Sequence, residues 1–251
     1  SYWHFQGAPT MFKRIPTYLA LAVLAVACGQ PTEDKSDAVV NEDAATVADE
    51  AVAESAAPAT AVADTSVGKV LYAPCAACHG DDGAGNMELN APGIAGQSES
   101  YLRRQLWEFK NGQRGNHEDD VSGAQMRPMA ATLEDRDAIA AVSAYIASMP
   151  PTIPPVTVDG DAANGKKLYI SKCGACHGGD AWGNEDLFTP RLTMLGDTYI
   201  LRQVEKFQEG MRGAAEQNAQ YGQQMAMMAK TVTAEELIDI TAFINELAAS
   251  Q

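Results

Sequence analysis

The sequence predicts an all-α fold in which one helical unit occurs twice in tandem. An internal repeat is the first observation, since the hexapeptide that begins at Cys75 recurs with one change at Cys173, 98 residues later. Apolar residues at the helical spacing i, i+4 and i+7 are the second, and they begin at Leu102 in the first repeat and at Ile200 in the second. Neither repeat shows a convincing alternating pattern, so no strand is expected.

Residues 1–27 are predicted to be a leader. Two basic residues precede a 13-residue apolar run, residues 15–27, which is too short for a membrane span of about 20 residues and fits a secretory signal peptide. Small residues before Cys28 resemble a bacterial lipobox, in which that cysteine is acylated and becomes the mature N-terminus. We therefore expect Cys28 to carry a lipid anchor. An ordinary signal peptide cut near Ala27 is the alternative.

Residues 28–66 are predicted to form a disordered acidic tether. Nine acidic residues and one base lie between residues 31 and 66, with almost no large apolar side chain. Such a segment cannot bury enough surface to offset the entropy of ordering, although a transient alanine-rich helix is an alternative. As a flexible coil, the 38 residues after Cys28 would span roughly 35 Å.

The composition excludes several classes of function. The whole chain has 18 basic and 33 acidic residues, a formal charge of −15, so it repels phosphate backbones and no nucleic-acid partner is expected. Five cysteines are too few for a disulfide scaffold. The sequence contains no evident Ser/His/Asp triad, phosphate-binding loop or paired carboxylates, so we predict no catalytic residues and no small-molecule substrate.

Two domains follow the tether. We expect domain 1 over residues 67–149 and domain 2 over residues 156–251, joined by a stiff Pro-rich linker, residues 150–155. Thr233 and Glu236 predict a capping box at the start of the last helix. The last helix of each repeat carries an apolar stripe, formed by Ile139, Val142 and Ile146 in the first repeat and by Leu237, Ile240, Ile244 and Leu247 in the second.

Both repeats contain Cys-x-x-Cys-His, the attachment signature of c-type haem. The two thiols add to the haem vinyl groups as thioethers, and the adjacent histidine becomes the proximal iron ligand. The residues are Cys75, Cys78 and His79 in the first repeat and Cys173, Cys176 and His177 in the second. A shared zinc site would need cysteine pairs that are 98 residues apart, and a thioredoxin-like dithiol would need one motif near a βαβ pattern. The sequence therefore predicts two covalently bound haem c groups.

The sixth position on each iron needs a second ligand or stays open. Outside the motifs the only histidines are His4 and His117, and neither repeats. Methionines do repeat, as Met126 and Met129 in the first repeat and Met225, Met227 and Met228 in the second. Met/His ligation raises the reduction potential and closes the iron to substrates.

Each repeat resembles a class I cytochrome c. The shared features are a Gly-x-x-x-aromatic N-terminal helix, the Cys-x-x-Cys-His motif, a following proline (Pro92 or Pro190) and a methionine seven residues before an apolar residue that opens the last helix. In that pattern the apolar residues are Leu133 and Val232. The resemblance thus implies these axial iron ligands: His79 and Met126 in the first repeat, and His177 and Met225 in the second.

The tandem arrangement resembles the dihaem cytochrome c4 family more specifically. The strongest match is the stretch from Gly96 to Gly112, and the resemblance covers residues 67–251. It implies two class I cytochrome c domains related by pseudo-twofold symmetry, with their haems close together. It also implies an electron carrier rather than an enzyme.

The predicted function is therefore electron transport in a bacterial respiratory chain, at the periplasmic side of a membrane to which Cys28 anchors the protein. The resemblance implies membrane-bound respiratory complexes as partners, with a bc1-type donor and a terminal oxidase such as a cbb3-type as acceptor. One alternative is the electron-transfer subunit of a periplasmic dehydrogenase or reductase. The other is a dihaem peroxidase, which the methionines in register disfavour because it needs one open iron.

Four repeated arginines are expected to be solvated, with haem propionates as alternative partners. They are Arg104 and Arg202 on the helices, and Arg114 and Arg212 just beyond them.

Overall fold

The computed structural model describes residues 65–251, and this part of the chain is helical. It contains ten α-helices, one short 3-10 turn and two isolated bridges, with no strand among the described residues. The all-α prediction is therefore confirmed. The predicted leader, Cys28 and the acidic tether up to residue 64 lie outside the described residues.

The first repeat contains five helices. They are α1 (Thr65–Tyr72), α2 (Ala76–His79), α3 (Glu99–Lys110), α4 (Val121–Ala131) and α5 (Arg136–Ser148). At the start of three of these helices, a side chain accepts a hydrogen bond from a backbone N–H group that the first helical turn leaves unpaired. Ser98 accepts from Tyr101, Asp120 from Gly123 and Asp135 from Ala138.

The second repeat contains the corresponding five helices. They are α6 (Ala162–Lys172), α7 (Gly174–His177), α8 (Asp197–Gln208), α9 (Gln220–Ala229) and α10 (Ala234–Ala249). The predicted capping box begins α10, since the Thr233 hydroxyl accepts from the N–H of Glu236 and the Glu236 carboxylate accepts from the N–H of Thr233. The 3-10 turn, Ala215–Gln217, precedes α9 and has no helical counterpart in the first repeat.

The first and last helices of each repeat cross at a glycine. A Cβ on Gly68 would overlap the carbonyl oxygen of Ala141 on α5, and a Cβ on Gly165 would overlap that of Asp239 on α10. Glycine at these positions therefore permits a close approach that no other residue allows. Around the two crossings lie the buried cores: Leu102, Leu133, Ile139, Val142 and Ile146 in the first repeat, and Ile200, Ile240, Phe243 and Ile244 in the second.

A tyrosine one turn after each of these glycines ties the helix to the haem motif. The Tyr72 hydroxyl donates to the carbonyl oxygen of Gly80 at 2.6 Å, and the Tyr169 hydroxyl donates to that of Gly178 at 2.7 Å. Each acceptor glycine directly follows the histidine of its motif. The Gly-x-x-x-aromatic pattern thus holds the motif at the end of the first helix.

The two repeats pack against each other through reciprocal contacts. Arg104 Nη2 donates to the carbonyl oxygen of Phe188 at 2.9 Å, and Arg202 Nη1 donates to Asn90 Oδ1 at 2.7 Å. Each arginine and each acceptor is separated from its counterpart by the same 98 residues. The Gln97 side chain also pairs with both backbone groups of Arg191, at 2.9 and 2.8 Å. Reciprocity of this kind is what pseudo-twofold symmetry produces.

A membrane-spanning helix needs about 20 consecutive, predominantly apolar residues. Within residues 65–251, no helix is both long enough and apolar enough to span a membrane.

Candidate haem sites

The motif of the first repeat forms a single helical turn, α2, that separates its three functional side chains. Cys75 is half-buried, Cys78 is exposed and His79 is buried, with 6% of its surface accessible. The N–H of His79 donates to the carbonyl oxygen of Cys75 at 2.9 Å, which closes the turn. The motif of the second repeat has the same distribution, with Cys173 half-buried, Cys176 exposed and His177 buried.

Each motif histidine is held in the form that binds iron. A carbonyl oxygen can only accept, so His79 Nδ1 donates its proton to Pro92 at 3.0 Å, and His177 Nδ1 donates to Pro190 at 3.4 Å. This tautomer leaves Nε2 unprotonated and without a hydrogen-bond partner among the described residues. Burial lowers the pKa of both histidines, which favours the neutral ligand form.

The two half-buried motif thiols, Cys75 and Cys173, are not activated for redox chemistry of their own. Burial raises the pKa of the Cys75 thiol, and it raises the pKa of Cys173 to about 11. Reactive dithiols have lowered pKa values, so these cysteines differ from a thioredoxin-like pair. The four described cysteines form no disulfide with one another.

A cavity in the first repeat lies between the motif and α4. Cys75, Cys78 and His79 line one wall, and Met126 and Met129 of α4 line another. Apolar side chains complete the lining, among them Leu102, Leu106, Phe109, Leu133, Val142 and Ile146. Thiols, a neutral imidazole and thioethers around an apolar space are the donor set that a covalently attached haem requires. The residues of this repeat therefore fit a haem.

The methionines of the two repeats differ in exposure. Met126 and Met129 are both half-buried, one helical turn apart on α4. In the second repeat Met225 is half-buried and packs with the buried cluster that includes Val204 and Phe207. Met227 and Met228 are exposed, with 65% and 42% of their surfaces accessible. Burial thus favours Met225 in the second repeat, whereas both α4 methionines reach the cavity of the first.

Two of the four repeated arginines are buried rather than solvated, contrary to expectation. Arg114 and Arg212, expected to be solvated, are buried, with 6% and 7% of their surfaces accessible. Arg114 Nη2 donates to the Tyr199 hydroxyl at 2.8 Å and to Gln203 Oε1 at 2.9 Å, both in the other repeat. Arg212 donates to Gln203 at 2.8 Å and to Gln105 at 2.7 Å. The expectation was wrong because packing of the two repeats brings these side chains together, and no local pattern signals such packing.

The buried arginines carry charge that their hydrogen-bond partners do not neutralise. The amide and phenol groups that they contact are uncharged, and the buried carboxylate of Glu108 is already paired with Arg104 at 2.7 Å. Burial and the neighbouring charge of Arg114 lower the pKa of Arg212. Unpaired buried cations are costly unless an anion compensates them, and Arg114 lines the same cavity as His79. Haem propionates at this end of the cavity would supply that anion.

His117 lies apart from the haem cavity. It sits in the turn before α4, where its Nδ1 is 3.7 Å from Asp119, and it does not line the cavity.

Comparison with protein families gives two matches on this chain. The family model described as Cytochrome c matches residues 66–150 and matches again at residues 162–248.

Individual relatives and a solved structure agree. Cytochrome c4 of Azotobacter vinelandii is 33% identical over 164 residues, which cover 61% of this chain and 77% of that protein. A thiosulfate dehydrogenase electron acceptor of Thiomonas intermedia is 31% identical over 150 residues, which cover 56% of this chain and 65% of that protein. The crystal structure of reduced recombinant cytochrome c4 from Pseudomonas stutzeri superposes with a TM-score of 0.58 at 26% identity, over 72% of this chain and 97% of that one.

Proposed function

Because this chain belongs to the cytochrome c4 family, we propose that it carries single electrons between membrane-bound respiratory complexes at the periplasmic side of a bacterial membrane. As a tandem cytochrome c it binds two covalently attached haem c groups. Each haem supplies a one-electron iron couple when bound. The observation that carries the proposal is the reciprocal packing of the two repeats, which places Arg114, Tyr199 and Gln203 at the edge of the first haem cavity.

We assign the chain's own residues as follows. The thiols of Cys75, Cys78, Cys173 and Cys176 hold the haems covalently, while His79 and His177 bind iron through Nε2. Met126 and Met225 would fill the sixth positions, which would exclude water and substrates from the iron. A closed iron suits electron transfer and leaves no place for a substrate, so we propose no catalytic residue.

The interface between the repeats offers cations for haem propionates in this proposal. Arg114 and Arg212 would pair with propionate groups there. The same side chains bond to Gln105 and Gln203, which hold the guanidinium groups in fixed orientations. A rigid, desolvated contact of this kind lowers the reorganisation that accompanies charge movement.

We further propose a bc1-type complex as donor and a terminal oxidase, such as a cbb3-type, as acceptor. The family membership supports this pair of partners. A direct test follows the absorbance of the reduced full chain after it is added to membranes of the producing bacterium. Oxygen-dependent oxidation by the membranes, and re-reduction when a quinol is supplied, are expected. Failure of the membranes to oxidise or reduce the protein faster than buffer would contradict the proposed chain.

Cys28 is proposed to anchor the protein through lipid. Each buried CH₂ of an acyl chain contributes about 0.8 kcal/mol, so several chains would hold the protein firmly at the membrane. The acidic tether would keep the haem domains within roughly 35 Å of the bilayer and so raise their concentration near membrane partners. Cys28→Ser is expected to release a soluble protein with normal spectra and slower electron delivery in intact cells. If it still sediments with membranes after a high-salt wash, the anchor lies elsewhere.

The second candidate function is electron acceptor for a periplasmic dehydrogenase. The similarity to the Thiomonas intermedia protein, named as the acceptor of thiosulfate dehydrogenase, favours it. The two functions differ in what co-purifies with the chain after detergent solubilisation. An oxidase or a bc1-type complex supports the first function, whereas a soluble dehydrogenase that reduces the protein in the presence of its own substrate supports the second.

A further inference from the structure

A polar cleft of about 480 Å³ lies on the boundary between the repeats and shares no lining residue with the haem cavity. The first repeat forms one wall with the end of α3 and the loop after it, and the second repeat forms the other with the 3-10 turn before α9. A volume of this size is typical of small-molecule sites. The lining includes Trp107, Asn111, Gln113 and Asn116 from the first repeat, and Glu216 and Asn218 from the second.

Hydrogen bonds hold both walls of the cleft in place. Gln113 Nε2 donates to the carbonyl oxygen of Asn218 at 2.9 Å, which joins the two repeats at this point. The Asn111 amide donates to the carbonyl oxygen of Trp107 at 2.8 Å. In the second repeat, Gln217 accepts a backbone N–H at 2.6 Å and donates to a backbone carbonyl oxygen at 2.9 Å, both in the loop after α8. The cleft is therefore largely pre-formed, as ligand sites usually are.

The cleft also contains hydrogen-bond donors and acceptors that no other residue between 65 and 251 engages. The donors are the indole N–H of Trp107 and the side-chain amides of Asn116 and Asn218, and the acceptors are the side-chain oxygens of Asn111, Gln113 and Glu216. All six residues are half-buried or exposed, so a ligand can reach them. Hydroxyl groups suit such a mixture best, because one hydroxyl both donates and accepts.

The charges in and around the cleft disfavour other classes of ligand. Glu216 is the one charged side chain of the lining. Two arginines border the cleft without lining it: Arg136 stacks on the Trp107 ring at 3.8 Å, and Arg127 Nη2 lies 3.6 Å from the position of a Cβ on Gly112. An anion inside the cleft would therefore face a carboxylate, and a metal ion would find one carboxylate instead of the several oxygen ligands that it needs. Trp107 is the one large apolar side chain of the lining, so an apolar ligand would bury little surface there.

The duplication of the domain does not by itself produce these residues. At the common offset of 98, Trp107 corresponds to Glu205 and Gln113 corresponds to Met211. The 3-10 turn that carries Glu216 has no helical counterpart in the first repeat. The pseudo-symmetric position therefore lacks both the indole and the amide that line this cleft.

We infer that the cleft binds a neutral polyhydroxylated ligand, a short saccharide, which contacts both repeats at once. The indole N–H of Trp107 and the Asn116 amide donate to its hydroxyl oxygens, and Glu216 accepts from its hydroxyl groups. A ligand that bridges the repeats also stabilises their packing, because it binds only the folded arrangement. The inference does not depend on the electron-carrier function, since the cleft and the haem cavity have no lining residue in common.

Nuclear magnetic resonance of the tryptophan indole groups in the reduced holoprotein tests this inference. The probes are two neutral disaccharides, maltose and N,N′-diacetylchitobiose. At least one of them is expected to move the indole N–H resonance of Trp107 in a saturable way, with that resonance assigned by its loss in Trp107→Phe. Trp182 lies outside the cleft and should not respond. If neither disaccharide moves the Trp107 resonance, or if both tryptophans move together, the inference is overturned.

Matched variants and a charged probe separate specific recognition from charge. Asn116→Ala and Glu216→Ala each remove one hydrogen-bond partner and are expected to weaken binding by about 2- to 10-fold. Gln220→Ala removes an exposed amide outside the lining and should leave the affinity unchanged. Unchanged affinity in both cleft variants would contradict the inference.

Inorganic phosphate is the charged probe, because it tests the two bordering arginines. It should leave the Trp107 resonance in place. A saturable shift with phosphate and none with either disaccharide would replace the saccharide with an anion and so overturn the inference. The haem spectra and the oxidation of the protein by membranes are independent of each of these results.

Discussion

The first repeat places two half-buried methionines against its haem cavity, whereas the second repeat buries only Met225 in part and exposes Met228. The attachment motifs themselves hardly differ, since both histidines are buried and both donate Nδ1–H to a proline carbonyl. The comparison teaches that the motifs proposed to hold haem are duplicated closely, whereas the methionines opposite them differ in exposure. Differences between the two haems must therefore come from these surroundings and from the interface.

Removing the motif cysteines of one repeat should remove the haem of that repeat alone, and this is the largest effect expected. Changing Cys75 and Cys78 together to alanine removes both thioether bonds of the first repeat, so haem per chain should fall from two to one. The matched double change at Cys173 and Cys176 should have the same result. Haem stain on a denaturing gel measures both. Loss of all stain in either variant would show that the two sites do not load independently.

The axial ligands can be tested by the weak sulfur-to-iron band near the red end of the oxidised spectrum. Met126→Ala and Met225→Ala should each remove about half of that band, because each removes one of two proposed thioether ligands. Met129→Ala and Met228→Ala should leave it in place and serve as controls one turn away. Survival of the band in the first pair and its loss in the second would move the ligand assignment by one helical turn.

The helix crossings should be equally intolerant in the two repeats. Gly68→Ala and Gly165→Ala each force a methyl group onto a backbone carbonyl, and such overpacking typically costs about 1–3 kcal/mol of unfolding free energy. Gly179→Ala is the control, because no atom lies within 4 Å of the added Cβ. Thermal unfolding followed by circular dichroism measures the difference. Wild-type stability in the Gly68 or Gly165 variant would mean that the crossings are looser than described.

A smaller difference in unfolding free energy should separate variants at Met129 and Met228, two of the methionines that are not assigned to iron. Met129 is half-buried in the cavity wall, so Met129→Ala should cost about 1–2 kcal/mol of unfolding free energy. Met228 is exposed, and Met228→Ala should change that free energy by no more than about 0.5 kcal/mol. Chemical denaturation of the two variants gives both values. Equal losses would remove the asymmetry between the repeats at this position.

The sequence predicted the local features of the fold well. Patterns within one or two helical turns predict the start of α10 and its capping box at Thr233 and Glu236. Patterns of the same length predict the buried stripe of Ile139, Val142 and Ile146. The haem motif is equally local, since five consecutive residues carry both thiols and the histidine. Short-range spacing is sufficient for each of these features.

The interface was not predictable from the same patterns. Arg114 bonds to Tyr199, 85 residues away, and Lys206 bonds to Asp120, 86 residues away. Taken alone, these side chains look like ordinary surface charges, and only the packing of the repeats buries them. One signal was available, because Arg114 and Arg212 repeat at the common offset with a glutamine nine residues before each. An arginine that repeats together with a glutamine at a fixed spacing indicates burial, whereas its charge alone indicates exposure to solvent.

We propose that both irons are closed by methionine, so that the protein carries electrons and does not act on a substrate. Carbon monoxide binds to reduced haem iron only where a coordination position is open or readily vacated. Addition of carbon monoxide to the fully reduced holoprotein should therefore leave the absorption spectrum unchanged at both haems. A carbon monoxide-dependent change corresponding to one or both haems would contradict the claim and favour the peroxidase class of function.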